Sequence, residues 1–340
     1  MIRSRHILVA VLAVGAAHVA VPMPMLDAAT ACARFASPGG DDAGPGSSAR
    51  PYRSVRRLAM ALNDGQVGCL AAGAVFAEDV TIRHGGRPGA PITVTGAPGG
   101  SRATIRGRLW VTDEANDVVI SRLNLDGRND RGLPSPTVSG DRVTFARNDV
   151  TNHHTGTCFL LGSLSGYGPA RGVVIARNRI HDCGRLPATN RDHGIYVESS
   201  YDGRILDNTI FDNADRGVQL YPNAQRTLVA HNVIDGNGVG VIISGDDGLA
   251  SSANVIRDNI IANSLQRANV EAYWPDEHVV GTGNLVAHNC LWNGRRGNVG
   301  RQVGFVAQGT VVAAPGYVDR RAKRFALRST SRCRGFGPRY

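Results

Sequence analysis

Apolar and polar positions along this chain alternate over short stretches, and the spacing of those stretches repeats. Residues 143–150, 173–180, 204–210, 227–234, 255–261 and 285–291 each hold a short apolar run, then an asparagine, then a second apolar run. The asparagines are Asn148, Asn178, Asn208, Asn232, Asn259 and Asn289, separated by 30, 30, 24, 27 and 30 residues. A degenerate earlier copy covers residues 118–125 and contains Asn124. Self-similarity at this period marks a stacked-repeat architecture.

A second strand follows most copies, at residues 158–161, 194–197, 217–220, 240–243 and 269–272. Gly, Asn and Asp separate the strands, and no helical stretch lies between them. Crossover units and leucine-rich horseshoes are therefore poor fits. If the chain coils so that each turn pairs in parallel with the next, every strand finds a partner, which predicts an all-β, parallel β-helix solenoid. One asparagine per coil, stacked at a turn, lets the amides bond along the stack, and asparagine also tolerates left-handed backbone.

One segment breaks the strand pattern. Residues 52–63 set Val55, Leu58, Ala59 and Leu62 on one helical face, as a short N-terminal helix capping the open edge of the first coil would. The tail after Pro315 is expected to cover the opposite end. The resulting organisation is an export signal at 1–31, a flexible linker at 32–50 and the solenoid with its two covers at 51–335.

The export reading rests on Arg3, Arg5 and His6 ahead of an apolar run that ends near Ala20, with small residues following at positions 28–31. That run is too short for a permanent membrane span. Six cysteines in an exported chain fit disulfides. Six permit fifteen pairings, among which sequence does not choose; the pairs nearest in the proposed coils are Cys32–Cys69, Cys158–Cys183 and Cys290–Cys333. A formal net charge of +10 favours anionic partners. Lys323 is the only lysine among 38 basic residues, so no coil of the solenoid offers a lysine base.

The chain resembles the pectate-lyase-like right-handed β-helix superfamily. Residues 52–55, 68–76 and 89–94 are similar to that group's opening coil, and residues 314–319, 325–327 and 331–333 to its closing coil. The resemblance covers roughly residues 50–335. It implies a right-handed solenoid and a secreted, carbohydrate-active protein, because the fold hosts lyases, epimerases, hydrolases and non-catalytic fibres. Departures from the group's patterns narrow the activity. The Gly-His-Gly and Arg-Ile-Lys of polygalacturonases are not matched by Asp192-His193-Gly194, and the epimerase pattern Asp-Pro-His-Asp is incomplete.

Stacking the second strands with a 23-residue offset sets Asp192 beside Asp215, His193 beside Arg216, Tyr196 beside Gln219 and Glu198 beside Tyr221. Side-chain alternation turns Ile195, Val197, Val218 and Leu220 inward, and Tyr196, Glu198, Gln219 and Tyr221 outward. Glu271 and Tyr273 fall in the same columns two coils later. Inserted residues 183–191 are placed to wall a groove beside this face.

Removing the proton alpha to a uronate carboxyl requires a base and a positive charge to neutralise the growing anion. His193, Arg216 and Tyr196 are the expected catalytic residues. Gln219, Tyr221, Glu271, Tyr273, Trp274, His153 and His154 are expected to contact substrate. Asp192, Asp215 and Glu198 are expected to hold a cation, Ca²⁺ being the one cofactor in view. The expected partner is an acidic polysaccharide cleaved by β-elimination. The alternatives are C5-epimerisation, glycoside hydrolysis and non-catalytic carbohydrate binding at a cell surface. A monomer is expected, with no nucleic-acid partner and no membrane contact beyond export.

Overall fold

In the computed structural model, residues 31–275 and 279–339 are described. The expected export signal lies outside them except for its last residue. Three sheets run along a solenoid, with eleven, ten and ten strands, and pair in parallel coil to coil except where Leu249–Ala250 pairs antiparallel with Val239–Asp246. Inward-facing Val, Ile, Leu and Phe from all three sheets fill one continuous core, in which Phe145 and Phe159 meet edge to face at 5.1 Å.

The asparagine ladder is present and buried. Each Nδ2 donates to the next Oδ1, over 3.1 Å from Asn148 to Asn178, 3.0 Å to Asn208, 3.0 Å to Asn232, 2.9 Å to Asn259 and 3.0 Å to Asn289. Each backbone N–H along the row also donates to the next Oδ1. Asn124 is not part of the ladder. Asn124 pairs with Asp149, and Leu123 holds the ladder position, its N–H donating to Asn148 Oδ1. The left-handed backbone sits one residue before each asparagine, at Arg147, Arg177, Asp207, His231, Asp258 and His288, with φ between 52° and 59°. Asn208→Ala deprives two buried Asn178 donors of their acceptor. Denaturant unfolding is expected to show a loss of about 2–4 kcal/mol.

Residues 32–50 are not a flexible linker. Arg34–Ala36 is the first strand of the eleven-stranded sheet and pairs with Val67–Leu70. Phe35 N–H donates to Gly46 O at 2.9 Å, and Asp42 accepts the backbone N–H groups of Arg53 and Ser54. The compact unit therefore begins at Cys32. The helix after this segment spans Val55–Met60, shorter than residues 52–63. Ser54 caps it by accepting Arg57 N–H, and Val55, Leu58 and Ala59 are buried.

The tail also departs from expectation. It lies along the outer face of the third sheet instead of across the end of the stack. Tyr317, Phe325 and Cys333 form a second apolar cluster with Phe211, Val233, Ile260 and Cys290. Arg320 pairs with buried Asp235 at 2.6 Å. Phe211, Val233 and Ile260 point outward from the flank and leave apolar surface that the tail covers. Disulfides join Cys32–Cys69, Cys158–Cys183 and Cys290–Cys333. No helix among the described residues is long and apolar enough to cross a membrane.

Candidate functional site

The outward face of the second sheet carries the site, and its registry follows the 23-residue offset. Ile195 pairs with Val218, Tyr196 with Gln219 and Val197 with Leu220. The column continues from Gln219 to Ile242 and from Ile242 to Glu271. The offset fails at Glu198. A bulge between Val197 and Ser199 shifts the register, so that Ser199 pairs with Asn223 and Glu198 has no one-to-one pairing with Tyr221.

A cavity of about 340 Å³ opens on this face. His193, Tyr196, Arg216, Gln219, Tyr221 and Tyr273 all line it. His193 lies edge to face under Tyr196 with ring centroids 5.5 Å apart, and Tyr196 stacks beside Tyr221 at 6.3 Å. Arg216 is buried; its Nη1 and Nη2 donate to the carbonyl and the side-chain oxygen of Asn190, at 2.8 and 2.5 Å. A guanidinium has five N–H donors, so donors remain for a ligand.

Surroundings pull the three candidate catalytic groups in useful directions. Burial, reinforced by the Arg216 charge, drives His193 well below the ordinary histidine value and keeps it neutral. Its Nδ1 is buried without a hydrogen-bond partner. Burial, with the Glu198 carboxyl next in size, raises Tyr196 and keeps its phenol protonated. Burial lowers Arg216, with Asp215 opposing. Tyr221 is pushed up to about 12, by burial first and then by Asp246, which accepts its hydroxyl at 2.8 Å.

The loop at residues 183–191 forms one wall through Asn190 and Arg191. Two carboxylates hold it in place. Asp215 accepts Asn190 N–H and Asp192 N–H, both at 2.8 Å, and the Thr189 hydroxyl at 3.4 Å. Asp192 takes the Arg185 guanidinium in a two-point pair at 2.6 and 3.1 Å and the Thr189 hydroxyl at 3.1 Å. The Cys158–Cys183 bridge anchors the start of the loop.

These contacts correct the cation expectation. The oxygens of Asp192 and Asp215 are engaged by the chain's own donors. Burial raises the Glu198 carboxyl, with the Leu164 N–H opposing. No group of three or more metal-ligating side chains suited to an ion occurs among the described residues. The donor set does not fit Ca²⁺ ligation by these three.

The expected substrate contacts divide. Gln219, Tyr221 and Tyr273 line the cavity. Trp274 does not: it is buried in the core, and its indole N–H donates to Val303 O at 2.9 Å. Glu271 is buried and paired with Arg267 at 2.8 Å, and is not one of the lining residues. His153 and His154 belong to another turn, where His154 Nδ1 meets Gly184 O at 2.9 Å and Nε2 lies 3.5 Å from Asp182. His153 is exposed and lies 3.9 Å from Asp126. Asn190, within the segment expected to wall a groove, lines the cavity, and so does Asp246, which was not among the expected site residues. The 23-residue offset sets Ser244 opposite Tyr221, and Asp246 lies two residues further along the same strand, where it accepts the Tyr221 hydroxyl.

The chain belongs to the right-handed β-helix family. The family described as the right handed beta helix region matches residues 67–261 and, overlapping, 138–304. Its fold is that of the pectate-lyase-like parallel β-helices. The solved structure of pectate lyase Pel9A matches with a TM-score of 0.59 and 15% identity, over 90% of each chain. A lacto-N-biosidase from Eubacterium ramulus matches with a TM-score of 0.58 and 12% identity, over 82% of this chain and 67% of that one. A rhamnogalacturonan lyase matches with a TM-score of 0.51 and 11% identity, over 89% of this chain and 99% of that one. At such identities the likeness defines the fold alone. No curated protein matches the sequence.

Proposed function

We propose that the protein is an extracellular, carbohydrate-active β-helix that cleaves an acidic polysaccharide by β-elimination in the cavity at Tyr196 and Arg216. The observation that carries this reading is the convergence of a neutral histidine, a protonated tyrosine and a tethered arginine on one cavity. Pairs of titratable groups pushed apart by their surroundings mark acid and base roles.

In this scheme Arg216 binds the uronate carboxylate and offsets the charge that builds as C5 loses its proton. His193 takes that proton. The electron pair forms the C4–C5 double bond, the C4–O4 bond breaks, and Tyr196 gives its proton to the departing oxygen. Gln219, Tyr221 and Tyr273 frame the sugar ring. Epimerisation shares the first step and differs in returning the proton to the opposite face. Three disulfides support an oxidising, extracellular setting. The likeness to pectate and rhamnogalacturonan lyases supports a carbohydrate ligand.

The test is incubation of the mature protein with pectate, alginate and glycosaminoglycans while following the ultraviolet absorbance of the unsaturated uronate. A rise that His193→Ala abolishes supports the reading. New reducing ends without that absorbance indicate hydrolysis and overturn it. Because His193 is depressed, the acidic limb of kcat/KM is expected below pH 6.5, the ordinary histidine value. A limb at or above 6.5 in the pH–rate profile contradicts His193 as the base.

A further inference from the structure

The outward column that holds Tyr196 extends in the other direction as well. Leu160 pairs with Tyr196, Thr137 with Leu160 and Trp110 with Thr137. Trp110 therefore stands on the same face three coils earlier, about 14 Å away at the ~4.8 Å strand spacing. Between the two points stand Thr137, buried, and Leu160, half-buried.

Three side chains gather at Trp110. The exposed ring of Tyr167 meets Trp110 edge to face, with centroids 4.9 Å apart. Arg108 sets its guanidinium over Trp110, 4.9 Å from the ring centroid. Trp110 is fixed by its indole N–H, which donates to Ser139 Oγ at 3.2 Å. Arg108 Nε is buried without a hydrogen-bond partner. Asp79 lies 3.6 Å from Arg131 and accepts the Arg108 backbone N–H. Aromatic rings beside a guanidinium suit a sugar ring bearing a carboxylate. The loop at residues 163–168 carries Tyr167 near one end and Leu164, which acts on the Glu198 carboxyl, near the other.

We infer that Tyr167, Trp110 and Arg108 form a second binding station for an acidic sugar residue, on the same track as the Tyr196 cavity and several rings away from it. This rests on the proposed reading of that cavity and deepens it. The ligand becomes an extended acidic chain that occupies both stations at once, not a short oligosaccharide. Occupying the second station raises affinity only for chains long enough to span the gap.

The test is titration calorimetry in the Tyr196→Phe background, which leaves the chain uncleaved. The probes are oligogalacturonates and oligoalginates of about three and about eight residues, together with uncharged oligosaccharides of matched length. The longer acidic chain is expected to bind about tenfold or more tightly than the shorter one, a gain typical of one added aromatic contact. Tyr167→Ala, an exposed change that leaves the core intact, is expected to remove that gain and leave short-chain binding unchanged. Arg108→Gln is expected to remove it for acidic chains only. A length gain that survives both substitutions overturns the second station. If it survives while Arg216→Ala abolishes binding of short and long chains alike, the cavity reading stands and only the station falls. If no acidic chain binds at all, both fail together.

Discussion

Arg216→Ala is expected to reduce turnover of acidic polysaccharide by two to three orders of magnitude, the range seen when a preorganised stabiliser of developing negative charge is removed. The argument starts from position. Arg216 opens the strand Arg216–Gln225, is buried against the cavity wall, and is held by two bonds to Asn190. A rigid guanidinium pays little reorganisation when charge builds on the substrate carboxyl. Arg216→Lys keeps the charge but loses the fork and the Asn190 tether, so it is expected to recover only a small part of the rate. Single-turnover kinetics with a parallel melting curve separates this loss from unfolding. An Arg216→Ala protein that melts normally and retains more than about a third of the rate removes Arg216 from the chemistry.

Asp215→Ala is expected to act through the loop. Its carboxylate takes two backbone N–H groups and a hydroxyl from residues 189–192, so the alanine leaves buried donors unpaired. Bonds to a charged acceptor contribute the most, and a stability loss of about 4 kcal/mol is expected in denaturant unfolding. Asn190 then loses the bond that sets it against Arg216. A shift of about an ångström in a positioning group costs on the order of 100-fold in rate. Asp215→Asn, which keeps acceptor capacity at one oxygen, is expected to fall between the two. Unchanged stability in Asp215→Ala refutes this role, and a calcium-dependent stability lost with the side chain restores the cation-ligand reading.

Much of the solenoid was legible because its signals are local and repeated. The asparagine period, the alternation at Ile195 to Val197 and the cysteine neighbours all follow from one coil length. The misreadings have separate physical causes. Trp274 was read as a sugar platform from its residue type, yet alternation through Glu271, Ala272 and Tyr273 sends it inward with Ala272. Residues 32–50 look like a linker by composition. Their order comes from the Cys32–Cys69 bridge, which the coil reading does place, and from Asp42 accepting backbone donors, which sequence spacing does not reveal. Asp192 and Asp215 were correctly set side by side, but their partners are mainly backbone N–H groups and an arginine within the same loop. A carboxylate pair in sequence looks the same whether it awaits a cation or already has its donors.

The Glu198 register failed for a comparable reason. A single bulge after Val197 changes the offset to the next coil, and nothing in the alternating pattern announces it. Asp246 precedes Asp247 and Gly248, a turn-forming sequence that does not mark it as a site residue. Its place beside Tyr221 comes from the coil stack.

The most direct test of the account is a crystal structure of the Tyr196→Phe protein soaked with an acidic oligosaccharide that it binds. The account predicts a sugar carboxylate within hydrogen-bond reach of the Arg216 guanidinium, with C5 facing His193 and the ring framed by Gln219, Tyr221 and Tyr273. An oligosaccharide seated elsewhere on the solenoid, with that cavity filled only by water, contradicts it.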